Sequence, residues 1–227
     1  MAVGAIMATS GCSTRTFRVD AIKDPEIQAR GEAYVIANAN PERDDADPVV
    51  RTAAAYVKTA LSSKGLYEAP EGVSPATVVE VDFGAEAPKR ELVRALEPVY
   101  RTVREPGAYV TESYVDDQGN TRTVTRYVPG MARTVMAGWR EVRYESITHP
   151  KYLRITAREV PAEGDDRPPR ELWSVYVTHD DTDAGIAASL PYLVAAAMDA
   201  IDQNASSQRT VTLRDKDERV AFIRRGI

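Results

Sequence analysis

The sequence predicts an α+β domain in which two amphipathic helices cover one face of a mainly antiparallel sheet, with an added β-hairpin. Three observations lead there. At least six segments alternate apolar and polar residues with the two-residue period of a half-buried strand. Two segments carry apolar residues at helical spacing. Between two of the strand-like stretches lies Asp116-Asp117-Gln118-Gly119-Asn120, whose glycine and Asn/Asp residues supply the positive φ angles of a hairpin loop.

Arg15 to Ile22 alternates Phe17, Val19 and Ala21 against Arg18 and Asp20, and Gly31 to Asn38 is a second strand closed by Asn40-Pro41. Asp47 and Pro48 then open a helix: the aspartate caps free N–H groups, and proline in the first turn sacrifices no bond. Val50, Ala53, Ala54, Val57, Ala60 and Leu61 form its buried stripe, and Lys64-Gly65 stops it. Ala76 to Phe83 is a strand with Val79, Val81 and Phe83 on one face. From Gly84 to Pro106 the text is charged and proline-punctuated and reads as a connection, with at most a short helix over Lys89 to Leu96. Tyr109 to Val115 and Thr121 to Val128 form the hairpin, an elaboration of about residues 100–128. Further strands are expected over Val135 to Tyr144, Tyr152 to Val160, Glu171 to Thr178, Thr210 to Leu213 and Val220 to Ile223, with a turn at His149-Pro150 and a solvent loop at Pro161 to Pro169. The second helix spans about Ala184 to Asp202, either kinked at Pro191 or starting near Ser189 as its cap.

Composition narrows the function classes. Hydrophobic residues at 43% and charged ones at 28% suit a globular chain whose core needs no metal or disulfide staple. No apolar run reaches the ~20 residues of a membrane-spanning helix. A net charge of −5 disfavours a dedicated nucleic-acid binder, which wants a basic face for phosphates. The single cysteine, Cys12, follows the apolar run Ala2 to Ala8 and the small residues Thr9, Ser10 and Gly11. That is the layout of a signal-peptide core and its cleavage zone, and it looks like a bacterial lipobox with Cys12 as the lipidated residue. Thr9 stands where leucine is usual, and nothing basic precedes Arg15. Met1 is accordingly read as an internal start, residues 1–11 as a truncated signal peptide, and residues 12–227 as one domain.

The order of "CSTRTFRVD", "LSSKGLY" (Leu61 to Tyr67), "ATVVEVDF", "LWSVYV" (Leu172 to Val177), "THDDTD" and a closing helix resembles bacterial envelope lipoproteins carrying a single uncharacterised α/β domain, over about residues 12–202. The resemblance implies an envelope location and an α/β fold, without an assigned enzymatic activity.

Residues that carry chemistry are sparse. There is no Walker-type phosphate loop, no G-x-G-x-x-G after a strand and no G-x-S-x-G elbow, so no nucleotide cofactor is expected. Of the two histidines, His149 precedes a proline without a partner constellation and reads as a surface residue. His179-Asp180-Asp181-Thr182-Asp183 concentrates donors at a strand end, but its spacing is not that of a calcium loop, and it reads as helix capping rather than a metal site. The pairs Asp44-Asp45, Asp116-Asp117 and Asp165-Asp166 read as solvated loop acids. Tyr100, Tyr109, Tyr114 and Tyr127, interleaved with Arg101, Arg104, Arg122 and Arg126, are the types enriched at protein interfaces; Tyr109, Tyr114, Arg122, Arg126 and Tyr127 are the candidate partner-binding residues.

The expected function is a lipid-anchored bacterial envelope lipoprotein with a non-catalytic binding or assembly domain. Its partners would be the membrane, through the anchor, and an envelope protein; its place would be the periplasmic face of the outer membrane. Two alternatives stand beside it: an envelope hydrolase whose acidic residues converge only in three dimensions, and a cytosolic binding protein with an accidental N-terminus.

Overall fold

The computed structural model describes residues 14–26, 33–161, 167–205 and 207–226. The chain divides into two compact units, one formed by the segments up to Lys89 and from Ile147, the other by Arg90–Ser146. The second unit thus extends well beyond the stretch of about 100–128 that the sequence marks as an elaboration.

The first unit is built on a mixed sheet. Its strands are β1 (Thr14–Lys23), β2 (Ala33–Asn38), β3 (Tyr67–Glu68), β4 (Thr77–Ala85), the later part of β8 (Ala132–Glu159), β9 (Glu171–Asp181) and β10 (Arg209–Arg214). Their order is β10-β1-β9-β8-β4-β2-β3. Pairing is antiparallel except where β2 meets β3 and β4. The parallel pair follows from α1 (Pro48–Ser62), which carries the chain from β2 back to the start of the sheet, since parallel neighbours need a crossover and a helix supplies it.

Alternation decides which face is buried. Phe17, Val19 and Ala21 on β1, Val79, Val81 and Phe83 on β4, Leu153, Ile155 and Ala157 on β8 and Val175 and Val177 on β9 all point into one core. Three helices share it: α1, α2 (Leu190–Ala197, continued by a 3₁₀ turn, Met198–Ala200) and α3 (Glu218–Arg225). α1 starts as its sequence requires, with the Asp47 side chain accepting from the Val49 N–H at 2.8 Å and Pro48 in the first turn. In α2 every residue is buried, so this helix has no polar face at all.

Several expectations are corrected. Val220 to Ile223 is helix α3, not a strand: Asp217 accepts from the Arg219 N–H at 3.0 Å, and Val220 and Ile223, three apart, are the two buried residues of one helical face. The second helix is shorter than Ala184 to Asp202. It begins at Leu190, because Pro191 fits only a first turn, and Ser189 holds the cap position without a side-chain capping bond. Lys89 to Leu96 is strand, part of β5 (Lys89–Arg104). No turn falls at His149-Pro150: β8 runs through both, and Pro150 is buried with its carbonyl accepting from the Glu86 N–H at 2.8 Å. The Pro161 to Pro169 loop lies largely outside the described residues.

The second unit is one long ribbon. One leg is β5 followed by β6 (Ala108–Val115); the other is β7 (Thr121–Val128) followed by the first part of β8. Opposed ion pairs, Arg90 with Glu145, Arg94 with Glu141 and Glu97 with Arg140, rise along one leg and fall along the other, so the legs are antiparallel. Both legs change strand at matching Pro-Gly pairs, Pro106-Gly107 and Pro129-Gly130, and the Glu105 N–H still donates to Met131 across this break at 3.0 Å. A Cβ at Gly130 would fall 1.7 Å from the Glu105 carbonyl oxygen, so no larger residue fits there.

Candidate functional site

The candidate partner-binding residues all lie at the outer end of this ribbon. β6 and β7 pair with Tyr109 opposite Tyr127, Thr111 opposite Thr125 and Ser113 opposite Thr123. This face carries no charge. Its tyrosine rings meet at 5.2 Å between centroids, and the Thr111 and Thr125 hydroxyls share a hydrogen bond of 2.9 Å. The opposite face carries Tyr114 across from Arg122 and Val110 across from Arg126. Arg122 donates to Asp116 at 2.7 Å and Arg126 to Glu112 at 2.8 Å. Asp116 also accepts from the Gln118 and Asn120 N–H groups, so it shapes the turn as it pairs the arginine, and its carboxyl is held below the usual range, chiefly by Arg122.

Burial sets this unit apart. Every residue of β6 and β7 is exposed, Tyr109 by 77%. Among the described residues, 15 of the 20 exposed large apolar side chains belong to Arg90–Ser146, including Leu92, Leu96, Met131 and Trp139. A two-stranded ribbon is marginal in water by itself, and among the described residues nothing pairs with the outer edges of β6 and β7 or buries their faces. Tyr100 sits on β5 with 62% exposure, and Arg101 and Arg104 are exposed on the same strand. Cys12 lies outside the described residues.

The His179 to Asp183 cluster does something other than capping. Strand alternation puts Lys151 on the same side as Leu153 and Ile155, toward the helices, and there it is fully buried. Its ammonium donates to Asp181 Oδ2 and to Ser189 Oγ, both at 2.9 Å, and Ser189 donates to Asp181 at 3.2 Å. Arg15 adds a longer ion pair to Asp181 at 3.8 Å. Burial raises the Asp181 carboxyl, but the Lys151 hydrogen bond, the Asp183 N–H and the Lys151 charge outweigh it and bring it to about 2. His179 borders this group: its ring packs on Phe17 at 4.6 Å, Nδ1 donates to the Thr16 carbonyl at 2.9 Å, and Nε2 lies 3.9 Å from Asp181 Oδ2.

Serine beside lysine is a constellation that can support nucleophilic catalysis. Here the ammonium is committed to a carboxylate, and Ser189 is fully buried, so no substrate carbonyl can reach its hydroxyl. The cluster joins the interior of β8 and the end of β9 to the start of α2. Sequence reading missed Lys151, yet the signal was present: Lys151 shares the parity of Leu153, Ile155 and Ala157, so a strand there aims a lysine into the core.

Three clefts open on the described residues of the first unit, one of them, about 410 Å³, over Glu80, Asp82, Arg154 and Tyr176. A second, of about 510 Å³, opens over Arg15, Arg18, Thr178 and Asp180, where Arg18 pairs with Asp180 at 2.9 Å. Another, about 390 Å³, lies at the carboxyl end of β2 beside Val50 and Phe83, a usual place for ligands in parallel sheets. Its Asn38 amide is already spent on the Asn40 and Arg43 carbonyls. Among the described residues no three His, Cys, Asp or Glu side chains are grouped to hold a metal ion, and no helix is long and apolar enough to cross a membrane.

No protein-family model matches the chain, and no curated protein matches it in sequence. Among solved structures it is similar to a PDZ domain protein from Parabacteroides distasonis, at 8% identity and a TM-score of 0.40, over 88% of this chain and 39% of that one.

Proposed function

We propose that the protein is a lipid-anchored bacterial envelope lipoprotein, tethered through Cys12, whose folded part is a non-catalytic binding or assembly domain acting through the Arg90–Ser146 ribbon. The observation that carries the reading is the concentration of exposed apolar side chains on that ribbon, while the helices and sheet of the first unit bury theirs in one core. Apolar surface gathered in one element marks a contact site. Tyrosine and arginine, abundant along it, and its one tryptophan, Trp139, are the residue types that bury large area and still satisfy hydrogen bonds. A tether suits such a protein because several acyl chains, at ~0.8 kcal/mol per buried methylene, keep it at a surface where partners are concentrated.

The test is intact mass of the protein recovered from bacterial membranes after expression from its native locus. Cleavage before Cys12 with added acyl mass is expected, as is loss of both mass and membrane partition in Cys12→Ala. An unmodified Cys12 overturns the anchor, and a ribbon deletion that alters no association of the protein in the envelope overturns the contact role.

A further inference from the structure

We infer that the ribbon pairs edge to edge with the ribbons of further copies of this chain, residues 121–146 of one copy lying against residues 90–115 of the next. This rests on the ribbon's role as a contact element, proposed above.

The occupant follows from how charge is laid out. Beyond the base, the 121–146 leg carries Arg122, Arg126, Arg133 and Arg140 and no acid until Glu141. Over the same stretch the other leg carries Glu97, Glu105, Glu112 and Asp116, against Arg101 and Arg104. At the base Arg90 and Arg94 on one leg face Glu145 and Glu141 on the other, with Glu91 and Arg143 beside them. Within one ribbon this pattern pairs Glu97 with Arg140, Glu105 with Arg133, Glu112 with Arg126 and Asp116 with Arg122.

A strand in an antiparallel sheet has two neighbours, and residues opposite each other interact on either side. A second ribbon pointing the same way presents its 90–115 leg to the free edge of the first ribbon's 121–146 leg. That leg is antiparallel to it, and the same signs oppose again from base to tip. The rows that close one hairpin therefore fit the next hairpin along. A separate acidic or basic partner finds no net field: the ribbon holds nine arginines and eight acids.

Two further features favour an edge contact. Exposed strand edges are commonly blunted with lysine, yet all six lysines lie outside Arg90–Ser146. Arginine, enriched at interfaces where lysine is depleted, takes every basic position. Each leg spans about 80 Å of extended chain, with roughly every second residue turning its N–H and C=O outward. Because unlike legs meet, the contact is head-to-tail, and it closes into a ring of copies where the rotation permits.

The experiment uses the full-length protein, purified from whole cells in mild detergent whether or not Cys12 is acylated, with native mass spectrometry as the readout. Wild type is expected as a discrete oligomer, and Arg126→Glu with Arg133→Glu as monomer. A four-fold variant, Glu105→Arg, Glu112→Arg, Arg126→Glu and Arg133→Glu, keeps every intrachain pair and should assemble with itself. Co-expressed with wild type, it should give mixed species about tenfold or more below random, since like charges then oppose across both kinds of mixed edge. Random mixing overturns the inference, as does an oligomer indifferent to the double reversal. A monomeric wild type overturns it too, whether or not its ribbon retains phosphatidylcholine vesicles or another protein. Acylation of Cys12 and the effect of ribbon deletion are measured separately, so the proposed function stands or falls by itself.

Discussion

Lys151 Nζ lies 2.9 Å from Asp181 Oδ2, and the lysine side chain is fully shielded from solvent while the aspartate keeps 19% of its exposure. The two groups are therefore not equivalent. Removing the carboxylate strands a buried ammonium with only the Ser189 hydroxyl, whereas removing the ammonium leaves a carboxylate still served by Ser189, the Asp183 N–H and Arg15. Breaking such a pair from the worse side costs about 3–5 kcal/mol.

Asp181→Ala is accordingly expected to lose about 3–5 kcal/mol in urea unfolding, and Lys151→Met at least about 1 kcal/mol less. The double variant should lose less than the two single losses added together, because once the ammonium is gone no unpaired charge remains in the core. Equal single losses would contradict the asymmetry.

The same carboxylate sets an acid limit. With its pKa lowered from 3.8 to about 2 on folding, Asp181 adds stability that is fully present above pH 4 and lost as the pH falls from 3.8 toward 2. The amount is about 2 kcal/mol at 1.36 kcal/mol per unit. Urea midpoints measured between pH 5 and pH 2 should show this slope in wild type and a shallower one in Asp181→Asn.

An alkaline limit comes from Tyr34, buried on β2, whose hydroxyl is pushed up to about 12 by burial and by the Glu68 charge. The unfolded chain ionises near pH 10, so this contribution is present below pH 10 and lost as the pH rises from 10 to 12. Tyr34→Phe should remove about 2–3 kcal/mol of that pH dependence, read by urea unfolding across the same range.

Replacing Arg90–Ser146 by a short Asn-Gly turn should leave a cooperatively folding protein, because Ala85 and Lys151 already pair opposite each other where the chain leaves and rejoins the sheet. Calorimetry should find the melt within about 5 °C of wild type, on the order of 1 kcal/mol. Within the ribbon, Tyr114→Ala should cost under about 1 kcal/mol, the tyrosine being half-exposed, against about 3–5 kcal/mol for Phe17→Ala in the core. A loss above about 3 kcal/mol at Tyr114 would mean that the ribbon is buried in the free protein.

Where a residue and its immediate neighbours contain the reason for a structure, the sequence alone determined it. Asp47-Pro48 starts α1, the alternation of Phe17, Val19 and Ala21 makes β1 a half-buried strand, and Gly119 with its Asn/Asp neighbours turns the β6–β7 hairpin at φ +81°. Tertiary structure decided the elements whose reason lies far along the chain. Residues 89–104 look like a charged connection because the acids and arginines that oppose Arg90, Arg94 and Glu97 are 43 to 55 positions away; paired with β8, the same charges become cross-strand ion pairs and the stretch is a strand. His149-Pro150 reads locally as a turn but is held extended by β9 on one side and by the Glu86 N–H on the other, and Lys151 is stable in the core only because Asp181 and Ser189 arrive from β9 and the start of α2. Strand pairing and buried charge depend on a partner, and a local window of sequence does not contain the partner.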